Sequence, residues 1–236
     1  MKRFLALVLI LLMLCGCGAE TVPTETEGIL PDNIQLLLLD AERSFGGFAA
    51  DAPGEEAEAV LTMTETALAE YPAGLLRQLG PVQILLSGEL TGEGTFSSGN
   101  YAGFTQRTED GWRIVLDTTA CHPGTVHHEL CHILDAILTA AGRLSEAEWM
   151  DLNPPGFRYG SGDWGAYSDF FADAYAMTDM KEDRAAVFEA AVMGGAGAFD
   201  GKSPLWLKLH TLSQAIRAHF NTDGWPAAAI WELALH

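Results

Sequence analysis

The segment from Thr125 to Asp135, TVHHELCHILD, constrains this chain more than any other. It lies in a longer run, Pro123 to Ala140, whose apolar residues recur at the spacing of an amphipathic helix. Side chains four positions apart lie on the same face of a helix, so His128 and His132 point towards the same place. The carboxylate of Glu129 projects beside that pair. The run therefore predicts a helix that presents two imidazoles and one carboxylate together.

This H-E-x-x-H spacing is one that binds zinc. Two imidazoles hold the ion, while the glutamate reaches the attacking water without binding the metal. His127 is turned about 100° away from His128, because 3.6 residues make a turn, and is the poorer ligand. An ordinary helix with surface histidines is the alternative, but polar groups beside an apolar face are costly without a partner. The segment predicts one catalytic Zn²⁺ per chain, with His128 and His132 as ligands and Glu129 as the base.

A third ligand is expected, because catalytic zinc takes three protein ligands and leaves one position for water. The remaining histidines fall in no metal-binding pattern, so we expect a carboxylate. The segment from Ser168 to Met177, SDFFADAYAM, is predicted to form a helix with Asp169 and Asp173 on one face. Asp169 is predicted to bind the metal, and Asp173 to orient a ligand histidine through its other ring nitrogen. A solvated stripe on an amphipathic helix is the alternative.

HHELCHILDAI followed by YSDFFADAYA resembles the gluzincin metallopeptidases. The two segments are most similar to bacterial zinc peptidase lipoproteins related to the catalytic domain of anthrax lethal factor. In that group a helix of the form E-(D/F)-F-A-E-A-(F/Y) supplies the third ligand from its first acidic residue. By position the resemblance implies Asp169 as that ligand and Asp173 as the second acidic residue, with aspartate in place of glutamate at both. The resemblance covers roughly Trp112 to Met177.

The same group places a tyrosine shortly before the ligand helix, where its hydroxyl stabilises the oxyanion. At the closest family spacing the residue here is Gly162, so the resemblance does not identify which tyrosine has this role. Tyr159 lies in a glycine-rich loop that can reach over the metal, and we predict that it assists catalysis. A structural role for this loop tyrosine is an equal alternative.

The resemblance implies hydrolysis of peptide bonds. Zinc polarises the scissile carbonyl and lowers the pKa of water, and Glu129 moves a proton from that water to the leaving amine. An extended substrate is expected to pair with an exposed edge strand. Two other classes remain open: a non-catalytic surface protein that keeps the zinc helix, and a substrate-binding lipoprotein without metal.

The remaining patterns predict an α+β fold, zincin-like, with a small and partly antiparallel sheet packed on the active-site helix and a mostly helical C-terminal part. Residues 29–236 are predicted to form this single domain. The predicted helices before the motif are Pro31–Phe45 and Pro53–Tyr71, the predicted strands are Val82–Ser87, Tyr101–Gln106 and Trp112–Asp117, and a short helix is predicted at Ser145–Asp151.

The N-terminus, MKRFLALVLILLMLCGCGAE, is typical of an export signal. Its apolar run, Phe4 to Leu14, is shorter than the roughly 20 residues that cross a membrane. The residues Leu14-Cys15-Gly16-Cys17 resemble a lipobox, which implies removal of residues 1–16 and lipid attachment at Cys17. Residues 17–28 are small and acidic and are predicted to be a flexible tether. We expect a monomeric lipoprotein on the outer face of a bacterial membrane; an ordinary signal peptide or a short anchor helix is the alternative.

The net charge of the chain restricts the partners that it can be expected to bind. The formal net charge of −19 repels nucleic acid, so none is expected as a partner. Cys121 and Cys131 would reside in a compartment that permits disulfides, and either two buried thiols or a bridge between them remains open.

Overall fold

The structure is a computed structural model that describes residues 30–93, 98–160 and 164–236. The predicted signal peptide, the tether, the lipid-attachment residue Cys17 and Gly162 lie outside these residues. The strands are β1 (Ile34–Leu38), β2 (Arg43–Phe45), β3 (Phe48–Ala50), β4 (Val82–Ser87), β5 (Leu90–Glu93), β6 (Ser98–Asn100), β7 (Gly103–Arg107) and β8 (Trp112–Asp117). The helices are α1 (Ala57–Ala69), α2 (Ala73–Gln78), α3 (Pro123–Ala140), α4 (Glu146–Met150), α5 (Trp164–Tyr167), α6 (Met180–Gly194) and α7 (Pro204–His219), with 3₁₀ helices at Tyr175–Met177 and Ile230–Leu235.

The strands form two sheets of four. The central sheet has the order β1-β4-β8-β7, in which β1, β4 and β8 are parallel and β7 is antiparallel to β8. The second sheet has the order β2-β3-β5-β6 and is antiparallel. Among residues 30–93, 98–160 and 164–236, β7 therefore lies at an edge of the central sheet, with no strand paired to its outer side. The architecture is α+β with a partly antiparallel sheet, as predicted.

The central sheet lies between the helices and the second sheet. Its strands β4 and β8 read VQILLS and WRIVLD, near-continuous apolar runs that suit strands buried on both faces. One set of side chains enters the main core with the apolar face of α3, and these are Ile84, Leu86, Ile114 and Leu116. The alternate set packs with the second sheet, and these are Leu85, Val115 and Phe104.

The helix that carries the H-E-x-x-H motif begins and ends as predicted. Pro123 occupies its first turn, where the missing N–H costs nothing, and the Thr125 hydroxyl accepts a hydrogen bond from the His122 amide at 3.2 Å. Gly142 follows the end of α3 with φ 65°, a left-handed conformation that glycine adopts without strain.

Two predicted helices are wrong. The segment Pro31–Phe45 instead forms β1 and β2, because its leucine run pairs with β4 in parallel register from Ile34 to Leu38. The segment Ser168–Met177 forms turns and bends, followed by the 3₁₀ helix at Tyr175–Met177. Asp173 Oδ1 accepts a hydrogen bond from the Ala176 amide at 2.7 Å, which stabilises that local turn instead of a longer helix.

Within the described residues, no helix has the length and apolar character needed to span a bilayer. Cys121 and Cys131 are free thiols, and the second is fully buried.

Candidate metal site

The two motif histidines and the glutamate between them lie together on α3. The rings of His128 and His132 have centroids 4.9 Å apart, and ligand atoms of these histidines and Glu129 all lie within 4.8 Å of one another. His127 points elsewhere: its Nδ1 is hydrogen-bonded to the buried hydroxyl of Tyr71 at 2.8 Å. The helical spacing of four residues therefore brings the two predicted imidazole ligands to one place.

A carboxylate from a second helix faces this pair. Glu182 Oε2 lies 2.9 Å from His128 Nε2 and 3.5 Å from His132 Nε2. Ligand atoms around a tetrahedral zinc, each at about 2.1 Å from the ion, are separated by about 3.4 Å. The two distances from Glu182 Oε2 are therefore close to the separation expected between ligands of a single ion.

The first turn of α6 holds Glu182 in this position. Asp179 caps the helix, with its Oδ1 accepting from the amides of Lys181 at 2.7 Å and Glu182 at 3.1 Å. The next two residues of α6 are buried: Asp183 pairs with Lys208 of α7, and Arg184 donates to Asp135 of α3 at 2.6 Å. Consecutive side chains thus tie the start of α6 to two other helices and leave Glu182 facing the histidines.

Glu129 is held from the other side of the site. It is only 5% exposed, and its Oε2 accepts a hydrogen bond from Thr105 Oγ1 of β7 at 2.7 Å. The edge strand approaches closely here, because a Cβ at Gly103 would lie 3.2 Å from Glu129 Cγ. Glu182, and not Glu129, makes the close contacts with the imidazole nitrogens, so the carboxylate of Glu129 lies beside the pair with Thr105 as its hydrogen-bond donor.

A further glutamate of α6 fixes one imidazole. Glu189 Oε2 lies 3.1 Å from His128 Nδ1, so His128 has a carboxylate at each ring nitrogen. A carboxylate at the outer nitrogen orients a ligand histidine and raises its basicity. Gly124 makes room for this contact, because a Cβ there would lie 2.3 Å from Glu189 Oε1.

These contacts shift the pKa values of the site. Burial alone would lower the pKa of His128, but hydrogen bonds to Glu182 and Glu189 raise it to about 10. Burial alone would raise the pKa of Glu182, but the two histidines lower it to about 2. A protonated His128 between two carboxylates has to lose its proton when a metal binds, so metal binding is coupled to proton release.

The site opens into a cleft of about 830 Å³. Strand β7 and the preceding residues Tyr101 and Ala102 form one wall, and the segment from Asp173 to Glu182 contributes the opposite one. Phe48 of the second sheet closes one end beside Tyr101, with ring centroids 5.3 Å apart.

The structure places the other three residues predicted for the site as follows. Asp169 is exposed, lies in a turn after α5 and does not line the cleft. Asp173 lies at the cleft but bonds to the Ala176 amide rather than to a histidine. Tyr159 donates to Asp183 Oδ2 at 2.7 Å, and burial together with that carboxylate raises its pKa. The physical reason is that the helix facing α3 begins at Met180 and not at Ser168.

Sequence reasoning missed Glu182, Glu189 and Tyr175. The family pattern points to Asp169, because Phe170, Phe171 and Ala172 match it. The available signal was instead an N-cap, Asp179, followed by two glutamates seven positions apart, which share a helix face.

The missed tyrosine lines the cleft. The Tyr175 ring has its centroid 6.3 Å from that of His128, and burial followed by the charges of Glu182 and Glu129 raises its pKa. Tyr175 precedes Glu182 by the same interval as Gly162 precedes Asp169.

Comparison with known proteins gives one likeness in fold. No protein-family model matches the chain, and no curated protein matches it. A crystal structure from Bacteroides caccae, described as a "putative zinc-binding metallo-peptidase", is similar with a TM-score of 0.52 and 15% sequence identity. The match covers 85% of this chain and 83% of that one. At this identity the likeness shows the fold alone, and that fold is α+β, as predicted.

Proposed function

We propose that this chain is a zinc-dependent metallopeptidase of the gluzincin type. The observation that carries the proposal is the convergence of His128, His132 and Glu182 from two helices, beside a second carboxylate, Glu129, held by the edge strand. Two imidazoles and one carboxylate form a donor set that catalytic zinc sites use. A glutamate from a downstream helix also supports the proposed relation to the lethal-factor group.

Each residue of the site has its own role in the proposed hydrolysis. When bound, zinc polarises the scissile carbonyl and lowers the pKa of water. Glu129, oriented by Thr105, takes the proton of the attacking water and returns it to the leaving amine. Tyr175, whose ring lies beside that of His128 and lines the cleft, is the proposed donor to the developing oxyanion. Glu189 keeps His128 in the orientation that binds metal.

The edge strand is the proposed binding surface for an extended peptide. The Thr108 amide bonds to the Gly111 carbonyl and the Asp117 amide to the Ala102 carbonyl, so even-numbered residues of β7 face β8. The backbone groups of Gly103, Thr105 and Arg107 therefore point away from the sheet. A substrate that pairs with them passes directly in front of Glu129.

The cellular setting is proposed from residues 1–28. The charged start, the apolar run and the lipobox-like residues ending at Cys17 support export and attachment to the outer face of a bacterial membrane. A monomer with a peptide or protein substrate is proposed.

Turnover by the zinc-loaded full chain, purified in detergent and given a broad peptide mixture, tests the function. We expect cleavage products by mass spectrometry and their loss on chelation. Glu129→Gln should keep zinc while turnover falls by at least about 100-fold, as for loss of a general base. Glu148→Gln, on the exposed side of α4, serves as the matched control and should change neither.

Two results would contradict the proposal. Undiminished turnover in Glu129→Gln would remove its proposed role. A zinc-loaded wild-type chain that cleaves none of the peptides would favour the non-catalytic zinc-binding alternative.

A further inference from the structure

The acidic side chains of the cleft are already partnered within the protein. Among the described residues that line it, each carboxylate has a hydrogen-bond or ion-pair partner in the chain. These pairs are Glu129 with Thr105, Asp135 with Arg184, Asp173 with the Ala176 amide, Asp179 with the amides of Lys181 and Glu182, and Glu182 and Glu189 with His128. These carboxylates therefore already have partners within the protein.

Two basic side chains of the cleft, unlike its carboxylates, have no such partner among the described residues. Arg107 and Lys181 line it, and the side-chain nitrogens of neither make a hydrogen bond or ion pair with any described residue. Arg107 is nevertheless held in place: its guanidinium lies 4.5 Å from the ring centroid of Trp112, its cross-strand partner, which is only 9% exposed. Stacking on a ring leaves the N–H edges of a guanidinium free to bind a planar anion.

The position of Arg107 relates it to the proposed reaction. Its side chain leaves β7 on the same face as that of Thr105, which holds Glu129. Two residues of strand separate them by roughly 7 Å. A substrate paired with β7 would bring a side chain two or three residues from the scissile bond to the guanidinium.

We propose that Arg107 is a specificity determinant that binds a carboxylate of the substrate two or three residues from the cleaved bond. The inference rests on the proposed peptidase function. The carboxylate is either an Asp or Glu side chain or the terminal carboxylate of a short peptide, since both offer the same two oxygens.

The overall charge of the chain does not oppose this preference decisively. A net charge of −19 disfavours acidic ligands at long range, but charges farther apart than about 8 Å are largely screened at physiological ionic strength. Contact with a stacked guanidinium acts inside that distance. Local pairing at Arg107 therefore decides the choice between an acidic and a neutral side chain.

The test uses peptides that differ only by Glu or Gln at positions two and three on each side of a mapped cleavage site. The same peptides are made with a free or an amidated C-terminus to distinguish the two sources of carboxylate. For the zinc-loaded full chain we expect kcat/KM to be about tenfold higher with the carboxylate, as for a hydrogen bond to a charged group. Arg107→Gln should abolish the ratio, and Arg107→Glu should shift the preference to Lys.

Arg113→Gln is the matched control, because it removes the same charge from the neighbouring strand. Arg113 lies over Phe45 and donates to Gln83, outside the cleft. It should leave the Glu-to-Gln ratio unchanged. An unchanged ratio in Arg107→Gln, or an equal loss in Arg113→Gln, would overturn the assignment of Arg107.

Peptide binding to zinc-loaded Glu129→Gln, measured by fluorescence anisotropy, separates this inference from the peptidase proposal. A carboxylate preference in binding that depends on Arg107, without cleavage by the wild type, supports the assignment of Arg107 and overturns the peptidase proposal. Cleavage without such a preference overturns the assignment of Arg107 alone. If the chain neither binds nor cleaves the peptides, both proposals are overturned.

Discussion

At the scale of single residues, Glu182 and Asp169 are the two candidates for the third metal ligand. The first lies within 3.5 Å of both imidazole Nε2 atoms, whereas the second is exposed and outside the cleft. Aspartate is also shorter by one methylene, so a helix that used it would have to approach α3 more closely. Geometry therefore favours the glutamate over the residue that the family pattern selects.

Replacing each carboxylate by its amide tests that choice. Glu182→Gln keeps the shape but removes the charge that balances zinc, so zinc affinity should fall by more than about 100-fold, the upper range for residues that only orient a ligand. Asp169→Asn is the matched control and should retain zinc. Competition with a chromophoric chelator measures both. Loss of zinc in Asp169→Asn together with retention in Glu182→Gln would return the third ligand to the earlier segment.

The residues of the motif itself were predictable, because a single helix sets their relative positions. His128 and His132 needed only the helical repeat of α3. The carboxylate that faces them, that of Glu182, comes from another helix, whose start depends on which side chain caps it. Asp179 accepts from two amides and begins α6, whereas Asp173 stabilises a short turn. The choice between these two capping residues depends on local side-chain hydrogen bonds, which hydrophobic periodicity does not reveal.

Helix α6 is the element on which the site depends, and a buried ion pair anchors it. Asp183 and Lys208 have fully buried side chains with N–O distances of 2.8 and 2.9 Å. Trp149 and Tyr159 also donate to Asp183, at 2.8 and 2.7 Å. Burial raises the pKa of Asp183 and lowers that of Lys208, so each charge relies on its partner.

Removing one partner should therefore be costly. Lys208→Met leaves the Asp183 charge buried without its cation, and the free energy of unfolding should fall by about 3–5 kcal/mol. Arg43→Met removes the cation of an exposed pair, in which Asp40 is 81% exposed, and should cost less than about 1 kcal/mol. Urea unfolding followed by circular dichroism compares the two variants. Equal losses would show that the buried pair is not what anchors α6.

Sequence alone predicted the elements with one dominant periodicity. Strands β4 and β8 and helix α3 have the predicted bounds, because continuous apolar runs and a helical repeat leave little choice. Strand β1 was mistaken for helix, since four consecutive leucines suit either form. Its parallel pairing with β4, a partner distant in the chain, decides the outcome.

At the scale of the whole molecule, lipid attachment would confine the cleft to a surface. Cys17→Ser should move the chain from the membrane fraction to the soluble one, because each lost methylene removes roughly 0.8 kcal/mol of membrane affinity. Cys15→Ser is the control and should remain with the membrane. Fractionation and immunoblotting compare them. Release by the Cys15 change with retention of Cys17→Ser would place the attachment site two residues earlier.

Strand β7 carries three duties on five residues, and this limits how such a protein diverges. The hydroxyl of Thr105 donates to Glu129, the proposed base. The outward backbone groups of the strand are the proposed substrate-binding surface, and the Arg107 side chain leaves the same face as that of Thr105. Inserting one residue ahead of Thr105 would send both side chains to the opposite face, and inserting one between Thr105 and Arg107 would place them on different faces. A substitution at position 107 would keep this register and change only the proposed substrate contact, and an insertion in the turn from Thr108 to Gly111 would also leave the strand's pairing in place.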